Sequence, residues 1–434
     1  MKNISIQHIS PVILHHHSVT DVKTISWLLV LCAIFSIRFA HAEYSISVLL
    51  NPQYHSYSSD TLFIVPDEYI EKPRLTSEQT IELTGGFNQT LLNTGYLLSA
   101  RNKLSDSSSP NTELKVNELF FSKSIDNWEL IAGRKISSWG VGYGFRPLDV
   151  IQQYDQQTTS LQSMIGKNQF ALEYFADMSS WSLMWVNPFP KDNEVENHRL
   201  QSFTAKYSTS KESHDLHALL RYNNENKLQL GLGGIQITSD SISLHGSLLV
   251  SQKYQKQIHA LAGQSTLFIS SYDPYITKKY RHGLQALVGL SWSDISKHNV
   301  IAEYWYDEMA YSRQQWKKHF RLAEQQQTML EQTAIPKELV YGNIAWTANA
   351  TQAQSLAKHN LMIRWNYDAD NWKPTINILL SPDDKSYMTT LLITRAYNLF
   401  KLETGVRLFN GSNDSVYGGL IISNTVFATL SSEY

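Results

Sequence analysis

Residues 282–293 read His-Gly-Leu-Gln-Ala-Leu-Val-Gly-Leu-Ser-Trp-Ser, and their alternation decides the fold. Leu284, Ala286, Val288, Leu290 and Trp292 fall on one face, with Gly283, Gln285, Gly289 and Ser291 among those on the other. A side-chain period of two belongs to an extended strand with one apolar and one polar face. The next run sets Val300, Ala302, Tyr304 and Tyr306 against Asn299 and Glu303. The run before it sets Ile242, Leu244, Leu248 and Val250 against Ser243, His245, Ser247 and Ser251. Phe400, Leu402, Val406 and Leu408 alternate with Lys401, Glu403 and Arg407. The same pattern recurs at 79–89, 92–103, 113–123, 126–136, 168–176, 179–187, 199–208, 214–222, 226–237, 359–367, 371–380 and 385–395.

Alternation alone fits a two-layer sandwich as well as a barrel. Three features favour a barrel in a membrane. The runs approach the ~9–11 residues that a tilted strand needs to cross hydrocarbon, whereas sandwich strands are nearer ~5–6. Aromatic residues gather toward run ends (Tyr304, Tyr306, Trp365, Tyr367, Trp372, Tyr387), where interfacial girdles sit. Connection length also follows parity. The connections at 90–91, 124–125, 177–178, 209–213, 238–239, 294–296 and 381–384 are short. The long ones, 104–112, 137–167, 188–198, 252–281 and 308–358, all fall at alternate junctions, as in barrels with short periplasmic turns and long outer loops. Parity requires an ascending strand before 79–89, supplied by 44–50, and a final strand inside 415–434. The sequence therefore predicts an all-β fold, an antiparallel transmembrane β-barrel of about 16–18 strands with one helical extracellular loop. Tyr434, with Leu430, Ala428 and Val426 at alternate positions before it, suits a closing strand.

Residues 26–37 form an apolar run too short for a spanning helix, preceded by Lys23 and followed by Ala40-His41-Ala42. That is the anatomy of a secretory signal peptide over 1–42, cleaved after Ala42, leaving an outer-membrane barrel domain over 43–434. Beyond Ala42 no apolar stretch is long enough for a transmembrane helix. The composition excludes several classes. With 37 Lys+Arg against 39 Asp+Glu there is no basic excess for nucleic acid. One Cys excludes a disulfide framework, a Cys-rich zinc site and an iron–sulfur cluster. There are 11 Trp, 23 Tyr and 16 Phe, ample for a large aromatic-rich β structure.

Within 113–152, Gly133-Arg134-Lys135 is followed by Trp139-Gly140, Gly142, Pro147 and Asp149. This block of about forty residues resembles porin-like outer-membrane barrels of the largely uncharacterised WG-x-G…P-x-D type, distantly related to the alginate-export barrels. The resemblance implies a barrel in the outer membrane of a Gram-negative bacterium. Gly140, Gly142 and Gly144 permit positive φ and close backbone approach, so the loop that carries them is able to fold back into the lumen. Arg146 and Asp149 are placed to anchor it by pairing with wall charges. Arg134, Lys135, Trp139, Arg146 and Asp149 are thus candidates for a constriction, the alternative being a rim loop that only stabilises the barrel.

The 308–358 connection is rich in helix formers over 309–332. Met309, Trp316, Phe320 and Ala323 lie at helical spacings, Ser312 is placed to cap the start, and Pro336 lies beyond the end. Such a helix either plugs the lumen or lies on the surface against a neighbouring loop. Its Arg313, Lys317, Lys318 and Arg321 supply local positive potential. Strand parity turns Lys115, His217, Arg221, Glu303, Arg364, Lys401, Glu403 and Arg407 toward the lumen. Glu118 breaks the rule, sharing the parity of Val116 and Phe120, which requires a bulge or a place at the rim.

No H-E-x-x-H, G-x-S-x-G or P-loop is present, and Gly166-Lys167 is followed by Asn168 without the upstream glycine. The sequence gives no candidate catalytic, cofactor-binding or metal-ligating residue, and the expectation is a non-enzyme. The function expected is a channel for hydrophilic solutes, anionic ones among them. The alternatives are a barrel for exopolysaccharide export or assembly, and an outer-membrane enzyme built on His217 or His245. The expected partners are outer-membrane lipid and lipopolysaccharide, the barrel assembly machinery and the hydrophilic solute, with no nucleic acid.

Overall fold

The computed structural model describes residues 42–88, 92–152, 164–190, 200–332, 334–353 and 355–434. The expected signal segment 1–42 lies outside them except for Ala42, where the first strand begins. The strands are β1 (Ala42–Tyr57), β2 (Leu75–Asn88), β3 (Asn93–Ser105), β4 (Asn111–Ile125), β5 (Trp128–Lys135), β6 (Lys167–Ala176), β7 (Ser179–Val186), β8 (Ser202–Lys211) and β9 (His214–Asn223). They continue as β10 (Lys227–Ser239), β11 (Ile242–His259), β12 (Tyr275–Ser293), β13 (His298–Asp307), β14 (His359–Tyr367), β15 (Trp372–Leu380), β16 (Tyr387–Ala396), β17 (Lys401–Asn410) and β18 (Ile422–Glu433). Each pairs antiparallel with its neighbours in sequence, and β1 pairs with β18, so eighteen strands close on themselves. Closure leaves no open edge, the condition that hydrocarbon imposes on a sheet.

Every long loop falls on one parity. The connections 89–92, 126–127, 177–178, 212–213, 240–241, 294–297, 368–371 and 397–400 are all short and lie at one end. The opposite end carries 58–74, 136–166, 187–201, 260–274, 308–358 and 411–421, together with three shorter turns. The outward face is an apolar belt that includes Leu130, Leu183, Leu220, Leu230, Leu248, Val288, Ile376, Leu391 and Val426. Trp128 with Tyr174, Trp181 with Tyr207, and Tyr397 with Phe400 pack in pairs at the short-turn end. Phe170, Phe203, Tyr222, Tyr304 and Tyr387 mark the other. An apolar band between two aromatic rows is the surface a bilayer requires.

Register explains Glu118. Leu97 pairs with Glu118 but Leu98 pairs with Val116, so Asn117 is an extra residue in β4. The bulge exchanges the faces. Leu114 and Val116 point outward before it, Leu119 and Phe121 after it, and Glu118 turns inward to accept the Ile136 backbone N–H at 2.6 Å.

Two expectations are corrected. The stretch 252–281 is not a loop, because β11 and β12 continue as a long hairpin and leave only 260–274. The helix expected within 309–332 is present as α1 (Arg313–Met329), but it is not the only one in this loop, because Pro336 beyond its end opens a second, α2 (Lys337–Ala348). Ser312 does cap α1: its hydroxyl accepts from Gln315 N–H while the Gln315 side chain accepts from Ser312 N–H.

The apolar stripe of α1 faces the lumen. Trp316, Phe320 and Ala323 join Leu287, Ile301, Trp305, Met362, Leu379 and Met388 of the inner wall, along with Phe63, Val416 and Tyr417 of other outer loops. Gln327 donates to the carbonyls of Leu62 and Ile64, and Trp316 Nε1 to that of Leu356. The helices thus plug part of the outer half of the barrel, while Arg313, Lys317, Lys318 and Arg321 remain exposed to solvent.

His319, buried in α1, gives this plug a pH dependence. Its pKa lies below the ordinary 6.5, first because burial disfavours the cation, and also because the Lys256 charge repels it. The unfolded chain takes up a proton near pH 6.5 that the folded chain refuses, so plug stability is complete above neutrality and declines as pH falls below that value. The slope is at most about 1.4 kcal/mol per pH unit. His259, in ring contact with His319 and itself held far below 6.5 by burial, acts in the same sense, so limited proteolysis of 308–358 between pH 7.5 and 5 should accelerate toward acid in the wild type and less steeply in H319Q.

Candidate functional site

The candidate site begins where β5 ends. Residues 136–152 and 164–166 of the connection to β6 run inward, and the residue types of the Trp139–Asp149 block fold them into a closed ring. Asp149 is the staple. Its Oδ1 accepts the backbone N–H groups of Trp139 (2.5 Å) and Gly140 (2.7 Å), and its Oδ2 accepts the Ser138 hydroxyl (2.8 Å). Arg146 Nε donates to the Gly142 carbonyl at 2.8 Å, and its Nη1 lies 3.8 Å from Asp149 Oδ2. Gln152 closes the base, accepting from Ser137 N–H and donating to the Ile165 carbonyl. The expectation that Arg146 and Asp149 anchor the loop by pairing with wall charges is corrected in part: these contacts are made within the loop, to its own backbone, to Ser138 and to each other.

Glu303, on β13, holds the ring against the far wall. Its Oε2 accepts Gly144 N–H at 2.7 Å, and its Oε1 accepts Tyr143 N–H at 2.7 Å. Oε1 also meets His245 Nε2 of β11 at 2.7 Å, a contact that needs the proton on Nε2. The Glu303 side chain is fully enclosed, so the three donors replace the water it has lost. Apolar contacts complete the seat. Phe145 stacks on Trp305 with centroids 5.8 Å apart. Leu148 lies over the paired glycines of β10, where a Cβ on Gly231 or Gly233 would come within 2.6 or 2.7 Å of it. At the near wall, Trp139, Val150 and Ile151 pack on Ile131, Ala171, Met184 and Val186.

A cavity of about 450 Å³ remains beside the loop. Ser138, Trp139, Tyr143 and Arg146 line one side, and Lys206, His217, His245, Ser243 and Ser291 of β8, β9, β11 and β12 line the other. Lys206 Nζ stands 5.3 Å from the centre of the Trp139 ring, within cation–π reach. Cations, hydroxyls and aromatic faces converge there.

The candidates from sequence divide accordingly. Trp139 and Arg146 line the cavity, and Asp149 shapes it from behind. Lys135 lies over the Phe120 ring, while Arg134 bonds the Val116 carbonyl and Asn168 at the strand end, away from the cavity. Strand register turns all eight expected lumen residues inward, but only His217 and Glu303 belong to this site. Arg221 bonds Gln229, Lys115 pairs with Glu113, Lys401 with Glu403, and Arg407 bonds Thr390. Arg364 lies opposite the inward-facing Ile301. Lys206 was missed, although it shares parity with Ser202 and Thr204 in the run at 199–208.

No protein-family model matches the sequence, and no curated protein is similar to it by sequence. Solved structures are similar in fold. OccAB1 of Acinetobacter baumannii superposes with a TM-score of 0.56 at 8% identity, covering 91% of this chain and 96% of that one. OccK8 (OprE) of Pseudomonas aeruginosa gives 0.52 at 9% identity, covering 91% and 98%. OccK11 (OpdR) of the same organism gives 0.51 at 9% identity, covering 90% and 95%.

Replacing Glu303 by Ala removes the acceptor for two loop amides and should loosen the loop by about 3 kcal/mol. Amide exchange at Tyr143 and Gly144 should accelerate about a hundredfold, while the amides of β13 itself stay protected. Uniform acceleration through β13 would show unfolding of the wall rather than release of the loop.

Proposed function

We propose that this chain is a porin-like channel of the bacterial outer membrane for small hydrophilic solutes, anionic ones preferred, with the 136–166 loop as its constriction. The observation that carries this reading is the ring pinned to Glu303 inside the barrel, with a cavity of about 450 Å³ between it and the wall. The charged side chains that line that cavity are Arg146 and Lys206; Arg146 also lies 3.8 Å from Asp149, so Lys206 carries most of the unbalanced positive charge. Asp149 and Glu303, the nearby carboxylates, are spent on backbone N–H groups and His245. Rings of charge at a narrowing set ion preference, and cations there attract anions. The exposed Arg313, Lys317, Lys318 and Arg321 at the outer mouth act in the same sense. The fold shared with the Occ barrels supports the reading.

Purified residues 43–434, refolded and inserted in planar bilayers, should give small, discrete conductance steps with chloride favoured over potassium. K206E should lower that preference severalfold without changing strand content by circular dichroism. Absence of conductance from well-folded protein would refute the proposal.

A further inference from the structure

The long hairpin of β11 and β12 rises beyond the apolar belt, and its composition changes abruptly at that level. Leu248, Val250, Leu284 and Val288 are outward and exposed. Immediately beyond them Lys253 stands directly opposite Arg281, and Lys279 lies two residues farther along β12. The Lys253 backbone N–H donates to the Asn226 carbonyl at 3.0 Å, which brings the β9–β10 turn and Lys227 alongside. Lys227 sits over the exposed Tyr222 ring, 6.0 Å from its centre. Four cations thus gather across three adjacent strands, Lys279 one pleat nearer the hairpin tip than the others. Arg281 and Lys279 are exposed, and Lys227 and Lys253 half-buried.

Like charges directly opposite on neighbouring strands repel. Nearby cations find partners within the chain: Lys358 pairs with Glu308, and Lys256 donates to the Ala310 carbonyl and to Gln315. Among the described residues, no carboxylate lies within ion-pair distance of Lys227, Lys253, Lys279 or Arg281. Among the described residues the row is thus open to an anion from outside the chain. Its position defines the kind: a ligand charged at the level of the cations and apolar along Leu248, Val250, Leu284 and Val288 beneath them.

We infer that the row binds the phosphorylated sugar headgroup of an outer-leaflet glycolipid, whose acyl chains lie down the belt below. Arg281 supplies a planar fork suited to phosphate, and the lysines supply point charges around it. The row borders directly on the belt that acyl chains cover, which puts a lipid headgroup within its reach. This inference needs the lipid-facing belt but not the channel reading, so neither stands or falls with the other.

Thermal unfolding of refolded residues 43–434 in neutral detergent tests it, with three additives compared. Bisphosphorylated lipid A should raise the midpoint, whereas the same glycolipid stripped of phosphate, or inorganic phosphate, should not. The rise should vanish at high salt. In K253Q/K279Q/R281Q the apparent affinity for bisphosphorylated lipid A should fall at least about tenfold. Without lipid, the triple variant should unfold no earlier than the wild type, because it has lost only mutual repulsion. K253Q alone provides a milder variant with the same direction of change. Equal stabilisation by the phosphate-free lipid or by inorganic phosphate, or undiminished affinity in both variants, would overturn the inference.

Discussion

Hydrocarbon offers no hydrogen-bonding partner, and the rest of this structure follows from that constraint. A backbone that crosses it as strands must satisfy every N–H and C=O within one closed ladder. β1 meets β18 for that reason. The period of two then separates side chains into a lipid side and an enclosed side along every strand, and the enclosed side becomes available for chemistry. The same solvent explains the outer row of cations, since the charge begins where the apolar belt ends.

What occupies the enclosed side is less obvious than how it is made. The inner wall is not uniformly polar. Leu287, Ile301, Trp305, Met362, Leu379 and Met388 form an apolar patch, and α1 and the Phe145 ring cover it. A second patch around Ile131 and Met184 receives Trp139 and Ile151. Elements of the outer loops thus pack on the inner wall at two places, and a polar cavity lies beside the pinned loop. Asp149 gives the loop its shape and Glu303 gives it its place. The division is physically sensible, because a loop that satisfies its own backbone needs only a few wall contacts to be held.

Much of the barrel was legible in the sequence because lipid enforces alternation residue by residue. The strand number, the loop parity, the inward residues and the Ser312 cap all rest on local patterns. The bulge at Asn117 was legible only as a conflict at Glu118. The hairpin of β11 and β12 was underestimated because its alternation breaks near Gln252 and His282, where His282 takes a φ of 62°. Pro336 reads equally as a helix stop and a helix start, and only the packing of Val340 and Ile344 shows which. The contact of Glu303 with Tyr143 and Gly144 had no local signature. It joins residues 159 and 160 positions apart, brought together by barrel curvature, and a lone inward glutamate looks the same whether it faces water or grips a loop.

The central claim is that solute crosses this barrel through the cavity between the pinned loop and the wall of β8 to β12. Cysteine modification tests it most directly. Ser291 lines the cavity on β12, while Thr425 of β18 is a small inward residue outside its lining. In planar bilayers, a bulky thiol reagent should remove most of the current through S291C and leave T425C conducting as before. Unchanged current through fully labelled S291C would place the path elsewhere and contradict the account.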